Sequence, residues 1–155
     1  MLQSFAYYVS ILRKDFTEYC SNQLSGAGLS PGQLYFILYV GKHPGCAPGE
    51  LSQALRMDAG HTNRSINKLI KDGFLIQEQN PHDRRAHILH LTKKGEDAFR
   101  LSHELFFRWD KEALKGLTNK EQEQLMGLLQ KLHTEKGGTC CVRNDSQLLK
   151  SADLP

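Results

Sequence analysis

The stretch between positions 58 and 85 holds the residues whose types and spacing best suit a specific chemistry. Gly60, His61, Thr62, Asn63, Arg64, Asn67 and Lys68 lie close together just after Asp58. Asparagine offers a donor and an acceptor that match the edge of adenine, and arginine or lysine matches guanine. A second group, His82, Asp83, Arg84 and Arg85, follows in a segment rich in turn residues. Two adjacent arginines suit a narrow minor groove, where the negative potential of DNA is enhanced. Asp83 is expected to stay off the nucleic acid and either to orient an arginine or to cap the turn. The plain alternative is a solvated basic face followed by an ordinary surface turn.

Charge placement favours a phosphate-binding surface. The chain has 155 residues and a formal net charge of only +3. Between positions 61 and 94, Arg64, Lys68, Lys71, Arg84, Arg85, Lys93 and Lys94 face only Asp72, Glu78 and Asp83. The positive charge is therefore concentrated on a nearly neutral body, which is the electrostatic footprint of nucleic-acid binding. Hydrophobic residues make up 39% and charged residues 24%, an ordinary globular composition. The length fits one compact subunit with its own core. No apolar run is long enough for a membrane span, and the start of the chain lacks the basic lead-in and cleavage site of a signal peptide. A cytoplasmic protein with no membrane contact is expected.

The elements that must position these residues are mostly helices. Leu2, Phe5, Val9, Leu12, Phe16 and Tyr19 recur at helical spacing, and the glycines at 26 and 28 stop that helix. Ser30, Pro31 and Gln33 open a second helix with a capping-box pattern, and its apolar body over 34–40 predicts burial. A short third helix covers 48–55, and Arg56 and Met57 make a tight turn. Asp58 caps a fourth helix that runs to about 72, with Gly73 as its stop. On it Thr62, Ile66, Leu69 and Ile70 share the docking face, and its free N–H groups at the capped end suit a phosphate.

Two strands, 74–79 and 87–91, flank a long basic tip over 80–86. A fifth helix follows from about 93 to 115, with Ala98, Leu101, Leu105 and Trp109 in a stripe. Thr118 and Glu121 cap a sixth that carries Leu125, Leu128, Leu129 and Leu132 and ends at Gly137 and Gly138. The expected fold is mainly α with a β-hairpin wing: a winged helix-turn-helix plus a helical dimerisation region. The expected segments are a dimerisation helix over 1–29, a DNA-binding domain over 30–95, further dimerisation helices over 96–136 and a polar tail over 137–155. The apolar residues Phe5, Val9, Leu12, Phe16, Leu125, Leu129 and Leu132 exceed what a small winged domain needs, so they predict a dimer or, failing that, an internal bundle.

The stretch from Leu51 and Ser52 through Asn63, Arg64 and Leu69 continues into Asp72-Gly73-Phe74-Leu75-Ile76 and Asn80-Pro81. It closes with Asp83-Arg84-Arg85-Ala86 and Leu89-x-Leu91-Thr92-x-x-Gly95. These residues resemble the MarR family of transcriptional regulators, and the order of helices extends the resemblance over roughly 1–136. The resemblance implies a homodimer with interlocked terminal helices, a palindromic double-stranded DNA operator, and contacts from the fourth helix and the wing. Repression is the common mode in the family. It also implies a small effector, often phenolic or anionic, that lowers DNA affinity.

Such an effector would sit where the first, second and fifth helices meet, lined by Tyr8, Arg13, Tyr35, Tyr39, Phe106 and Phe107. Aromatic residues at that spacing also fit a plain core. The four cysteines, Cys20, Cys46, Cys140 and Cys141, form no C-x-x-C pair, so no structural zinc is expected. Redox sensing through Cys46, in a loop and open to solvent, or through Cys20 is the alternative mode of regulation. His87 and His90 point to opposite faces of a strand and do not make a metal site. No metal or cofactor is expected. No nucleophile elbow, phosphate loop or metal-ligand helix motif is present, so an enzyme is not expected. A winged helix used only to bind proteins remains the other class, and it predicts DNA affinity without salt dependence or none at all.

Overall fold

A computed structural model describes residues 4–135. The tail after Glu135, with Gly137, Gly138, Cys140 and Cys141, and Leu2 of the first stripe lie outside the described residues. Six α-helices and one antiparallel hairpin follow one another in the expected order. The chain divides between Ala113 and Leu114 into two compact units.

In the first unit, α1 (Phe5–Leu24) begins where the Ser4 hydroxyl accepts the Tyr7 N–H at 3.2 Å. It ends in a single 3₁₀ turn, Ser25–Ala27, with Gly28 left-handed at φ 70°. Helix α2 (Pro31–Lys42) starts at a proline, and Gln33 Oε1 accepts the Ser30 N–H at 2.9 Å. Leu34, Phe36, Ile37 and Val40 of α2 form the centre of the core, although Tyr35 stays exposed. Helix α3 (Pro48–Leu55) ends at Arg56, which takes left-handed geometry at φ 52° without being glycine. The Ser52 hydroxyl donates to the Met57 carbonyl at 2.7 Å and ties that turn together. The turn delivers the chain into α4 (Ala59–Lys71).

The hairpin joins β1 (Leu75–Asn80) to β2 (Asp83–Leu91), with Leu75 opposite Leu91. Its tip is shorter than the seven-residue loop expected over 80–86. Asn80 pairs with Asp83, and only Pro81 and His82 lie between the strands. A third extended piece also escaped the sequence reading. Gly45 N–H donates to the Leu89 carbonyl at 2.9 Å, and Leu89 N–H returns to the Cys46 carbonyl at 2.9 Å. Cys46, expected in an open loop, is therefore only 5% exposed.

Helix α5 (Lys93–Ala113) is fastened to the end of α4 and the start of the hairpin. The Thr92 hydroxyl donates to the Gly73 carbonyl at 2.6 Å and accepts the Gly95 N–H at 3.0 Å. Lys94 Nζ donates to the Asp72 carbonyl at 2.8 Å and lies 4.1 Å from the Phe74 ring centre. A Cβ at Gly95 would collide with the Phe74 carbonyl, so the glycine is what lets helix and hairpin meet this closely. These contacts explain the Thr92-x-x-Gly95 spacing: threonine caps the helix, and glycine clears its first turn.

In the second unit, α6 (Asn119–Glu135) opens with the expected capping box. Thr118 N–H donates to Glu121 Oε2 at 2.7 Å, and Glu121 N–H returns to the Thr118 hydroxyl at 3.4 Å. Among the described residues no helix is long and apolar enough to cross a membrane.

Candidate nucleic-acid interface

Helix α4 owes its two-sidedness to the sequence. Thr62, Ile66 and Leu69 recur at helical spacing and are buried, so they dock the helix on the core. Gly60, His61, Asn63, Arg64, Asn67 and Lys68 are all exposed on the remaining arc. Thr62, grouped with them by sequence as a DNA contact, is 1% exposed and belongs to the docking face. Among the described residues its hydroxyl has no hydrogen-bond partner. Gly60 keeps the first turn low: a Cβ there would stand 3.1 Å from Asp58 Oδ1 and 3.6 Å from Arg64 Nη1.

The start of α4 differs from expectation in one respect. Asp58 Oδ1 accepts the His61 N–H at 2.9 Å, so its own carboxylate occupies the place foreseen for a phosphate. That bond is the main cause holding the Asp58 carboxyl below its ordinary value. The Gly60 N–H and the charges of Arg64 and His61 act in the same direction. At the other end, Lys68 Nζ lies 3.1 Å from Asp72 Oδ2, a surface pair that leaves the lysine mostly open to solvent. Gly73, at φ 80°, then stops the helix.

The wing presents the second set. His82, Asp83, Arg84 and Arg85 are exposed, and the two arginines belong to strand β2 rather than to a free loop. Asp83 Oδ1 accepts the Arg85 N–H at 3.0 Å, which makes it a turn cap. Among the described residues no ion pair joins Asp83 to an arginine guanidinium, so Asp83 acts on Arg85 through its backbone N–H. Two neighbours outside the group of DNA-contact candidates also contribute. Asn80 Oδ1 accepts the His82 N–H at 2.9 Å, and Gln79 Nε2 donates to the Arg84 carbonyl at 2.7 Å. Turn propensity points to Asn80. No local signal marks Gln79, whose partner depends on the strand register.

The residues named for an effector divide into two groups. Tyr35 of α2 meets Phe106 of α5 edge-on at 6.4 Å, and Phe106 meets Phe16 of α1 at 5.1 Å. Although part of the Tyr35 side chain is open to solvent, the partial burial of its hydroxyl, followed by the nearby Cys20, raises it above its ordinary pKa. Tyr39 is half-buried and stacks on His43 at 4.5 Å. Tyr8, Arg13 and Phe107 instead lie exposed on helix surfaces, with Lys111 Nζ 5.1 Å from the Phe107 ring. Phe16, grouped by sequence with residues left over for a dimer, packs inside its own chain against Phe106 and Trp109.

Neither Cys46 nor Cys20, the alternative redox sites, is open to solvent. Cys20 is 0% exposed. Burial, followed by the charge of Glu50, pushes the Cys46 thiol up to about 11. A thiolate is the reactive form, so neither site is set up for ready oxidation.

Comparisons with known proteins agree with this architecture. The model of the MarR family matches residues 27–86, which contain α2, α3, α4 and most of the wing. An HTH-type transcriptional regulator, BilQ of Clostridium symbiosum, is 46% identical over 143 residues, covering 92% of this chain and 99% of its own length. The crystal structure of MarR superposes with a TM-score of 0.79 at 25% identity, covering 88% of this chain and 94% of that one. A cysteine-to-serine mutant of MarR from E. coli, solved in complex with operator DNA, superposes with a TM-score of 0.73 at 23% identity, covering 82% and 91%. With a near full-length relative at this identity and the same winged helix, the chain belongs to the MarR family of DNA-binding transcriptional regulators rather than to any class of enzyme.

Proposed function

We propose that this regulator is a repressor that binds a palindromic operator as a homodimer. In this reading α4 enters the major groove, and Arg84 and Arg85 enter the adjacent minor groove. The observation that carries it is the division of α4. Its large apolar residues dock on the core, and beyond Ala59 and Gly60 its outward arc holds His61, Asn63, Arg64, Asn67 and Lys68, groups that can pair with base edges or phosphates. A MarR mutant of the same fold was solved in complex with operator DNA, which supports DNA as the partner.

Dimerisation rests on apolar side chains that each unit leaves exposed. Phe5 is 63% exposed and Leu12 54% in α1, and Leu128 is 59% exposed in α6. Large apolar side chains at helical spacing that a single chain leaves in water call for an apolar partner. A two-fold dimer places two α4 helices ~34 Å apart, one turn of DNA.

Selection of bound duplexes from a random pool by the full chain tests the proposal. The expected result is an inverted repeat whose half-sites lie ~10 base pairs apart, centre to centre. Enrichment of a single asymmetric half-site, or none, overturns it.

Release is proposed to follow binding of a small aromatic or anionic compound beside Tyr35 and Phe106, the two effector candidates that the structure brings together. Salicylate provides the probe. A raised melting temperature with weakened DNA binding is the expected result. No change in either removes this part of the proposal.

A further inference from the structure

The Arg84–Arg85 peptide is gripped on both edges by side chains of the hairpin. Its carbonyl, that of Arg84, accepts Gln79 Nε2 at 2.7 Å. Its N–H, that of Arg85, donates to Asp83 Oδ1 at 3.0 Å. We propose that Gln79 is a positioning residue for DNA binding: by holding this peptide it fixes the direction in which both wing arginines leave the backbone. The inference rests on the reading of Arg84 and Arg85 as DNA-binding residues given above.

Strand register shows why such a clamp is needed. Pairing is regular from Leu75 opposite Leu91 to Gln79 opposite His87. It then jumps, so that Asn80 faces Asp83. Arg84, Arg85 and Ala86 are left with no opposite residue on β1. Surplus residues in an exposed strand lose their ladder bonds and must find other partners or move.

Rotation of this one peptide is governed by ψ of Arg84 and φ of Arg85. The same two angles set the relative direction of the two side chains. Pinning the carbonyl and the N–H therefore orders both arginines at once. Asn80 and Asp83 act locally, each on a residue two positions ahead. Gln79 reaches across from β1 and ties the surplus residues to the regular part of the sheet.

The chemistry of the donor gives a clean set of variants. Gln79→Met keeps side-chain length and removes the donor. Gln79→Glu keeps shape and places a carboxylate against a carbonyl oxygen. Both alter an exposed side chain, so the melting temperature is expected to stay at the wild-type value. Each variant of the full chain would be titrated with the duplex that the wild type selects from a random pool.

Loss of one clamp bond is expected to weaken affinity by about three- to tenfold. In the charge-neutral Gln79→Met the slope of log affinity against log salt should not change, because no charge is added or removed at the surface. Hydrogen exchange at the Arg85 amide should be faster in free Gln79→Met than in free wild type. In the background of Arg84→Ala with Arg85→Ala, Gln79→Met should cost nothing further.

Wild-type affinity and wild-type Arg85 exchange in Gln79→Met would overturn the proposal. So would an equal loss in the arginine-free background, since Gln79 would then touch DNA itself. If the chain lacking both wing arginines binds as tightly as wild type, the reading of the wing fails first. Those outcomes separate the clamp from the surface it serves.

Discussion

Helices α4 and α1 use their apolar residues in opposite ways. In α4 the residues at helical spacing, Thr62, Ile66 and Leu69, are buried, and beyond the first turn what faces out is polar or charged. In α1 only Cys20 and Leu24 are buried, whereas Phe5, Tyr7, Tyr8, Val9, Ile11 and Leu12 stay exposed. One helix is complete within its own chain on the apolar side and open on the polar side. The other is incomplete on the apolar side. Burial in a single chain thus separates a surface suited to a charged, hydrated partner from one suited to an apolar partner, although both helices are amphipathic in sequence.

The largest expected effect breaks this contrast at α1. Phe5→Asp with Leu12→Asp places two carboxylates on the apolar face. Sedimentation should show a monomer, and DNA affinity should fall ~10²–10⁴-fold as two linked heads become separate. A dimer of wild-type stability in that variant would show that the face lies elsewhere.

At the polar surface the effects are smaller and differ in kind. Arg85→Ala should weaken binding most on A·T-rich flanks, and Asn63→Ala should relax base preference at one position by ~1–3 kcal/mol. Competition binding with substituted duplexes reads both. Uniform loss across all sequences in Asn63→Ala would move that residue from base reading to backbone contact.

Gly95 tests whether the head and α5 act as one packed body. A Cβ at this position would meet the Phe74 carbonyl and the Leu91 side chain. Gly95→Ala should therefore destabilise by ~1–3 kcal/mol in denaturant unfolding. Unchanged stability would mean that the junction of α5 with the hairpin is looser than described.

The smallest effect concerns acid. The His61 N–H holds the Asp58 carboxyl below its ordinary value, so the folded state favours the ionised form. Its contribution is complete above the unfolded aspartate pKa and is lost as pH falls through the lowered folded value. Asp58→Asn should flatten the acid limb of a stability–pH curve. Superimposable acid limbs would show that the cap does not act through its charge.

Local features were readable in the sequence because their partners are near in the chain. Asp58 and Gly73 bracket α4, Ser30 with Gln33 opens α2, and Thr118 with Glu121 opens α6, all within one helical turn of the cap or stop. Features that depend on distant partners were not. The exchange between Cys46 and Leu89 joins residues far apart in sequence, so nothing near Cys46 announces its burial. The tip over 80–86 is rich in turn residues, yet strand register lets β2 begin at Asp83. Periodicity places Phe16 on the apolar side of α1 but does not say that Phe106 and Trp109 cover it. Helical spacing sets Thr62 on the docking face while its type also suits a DNA contact, and its burial decides for docking.

Affinity measured against salt tests the DNA-binding surface most directly. The full chain would be titrated with its selected duplex between 50 and 200 mM salt. If two heads neutralise about 6–10 phosphates through α4 and the wing, affinity should fall ~10³–10⁵-fold across that range. The slope should become shallower when Arg84 and Arg85 are both replaced by alanine. An affinity that is flat across the range, or a slope indifferent to those arginines, would contradict the assignment of this surface to DNA.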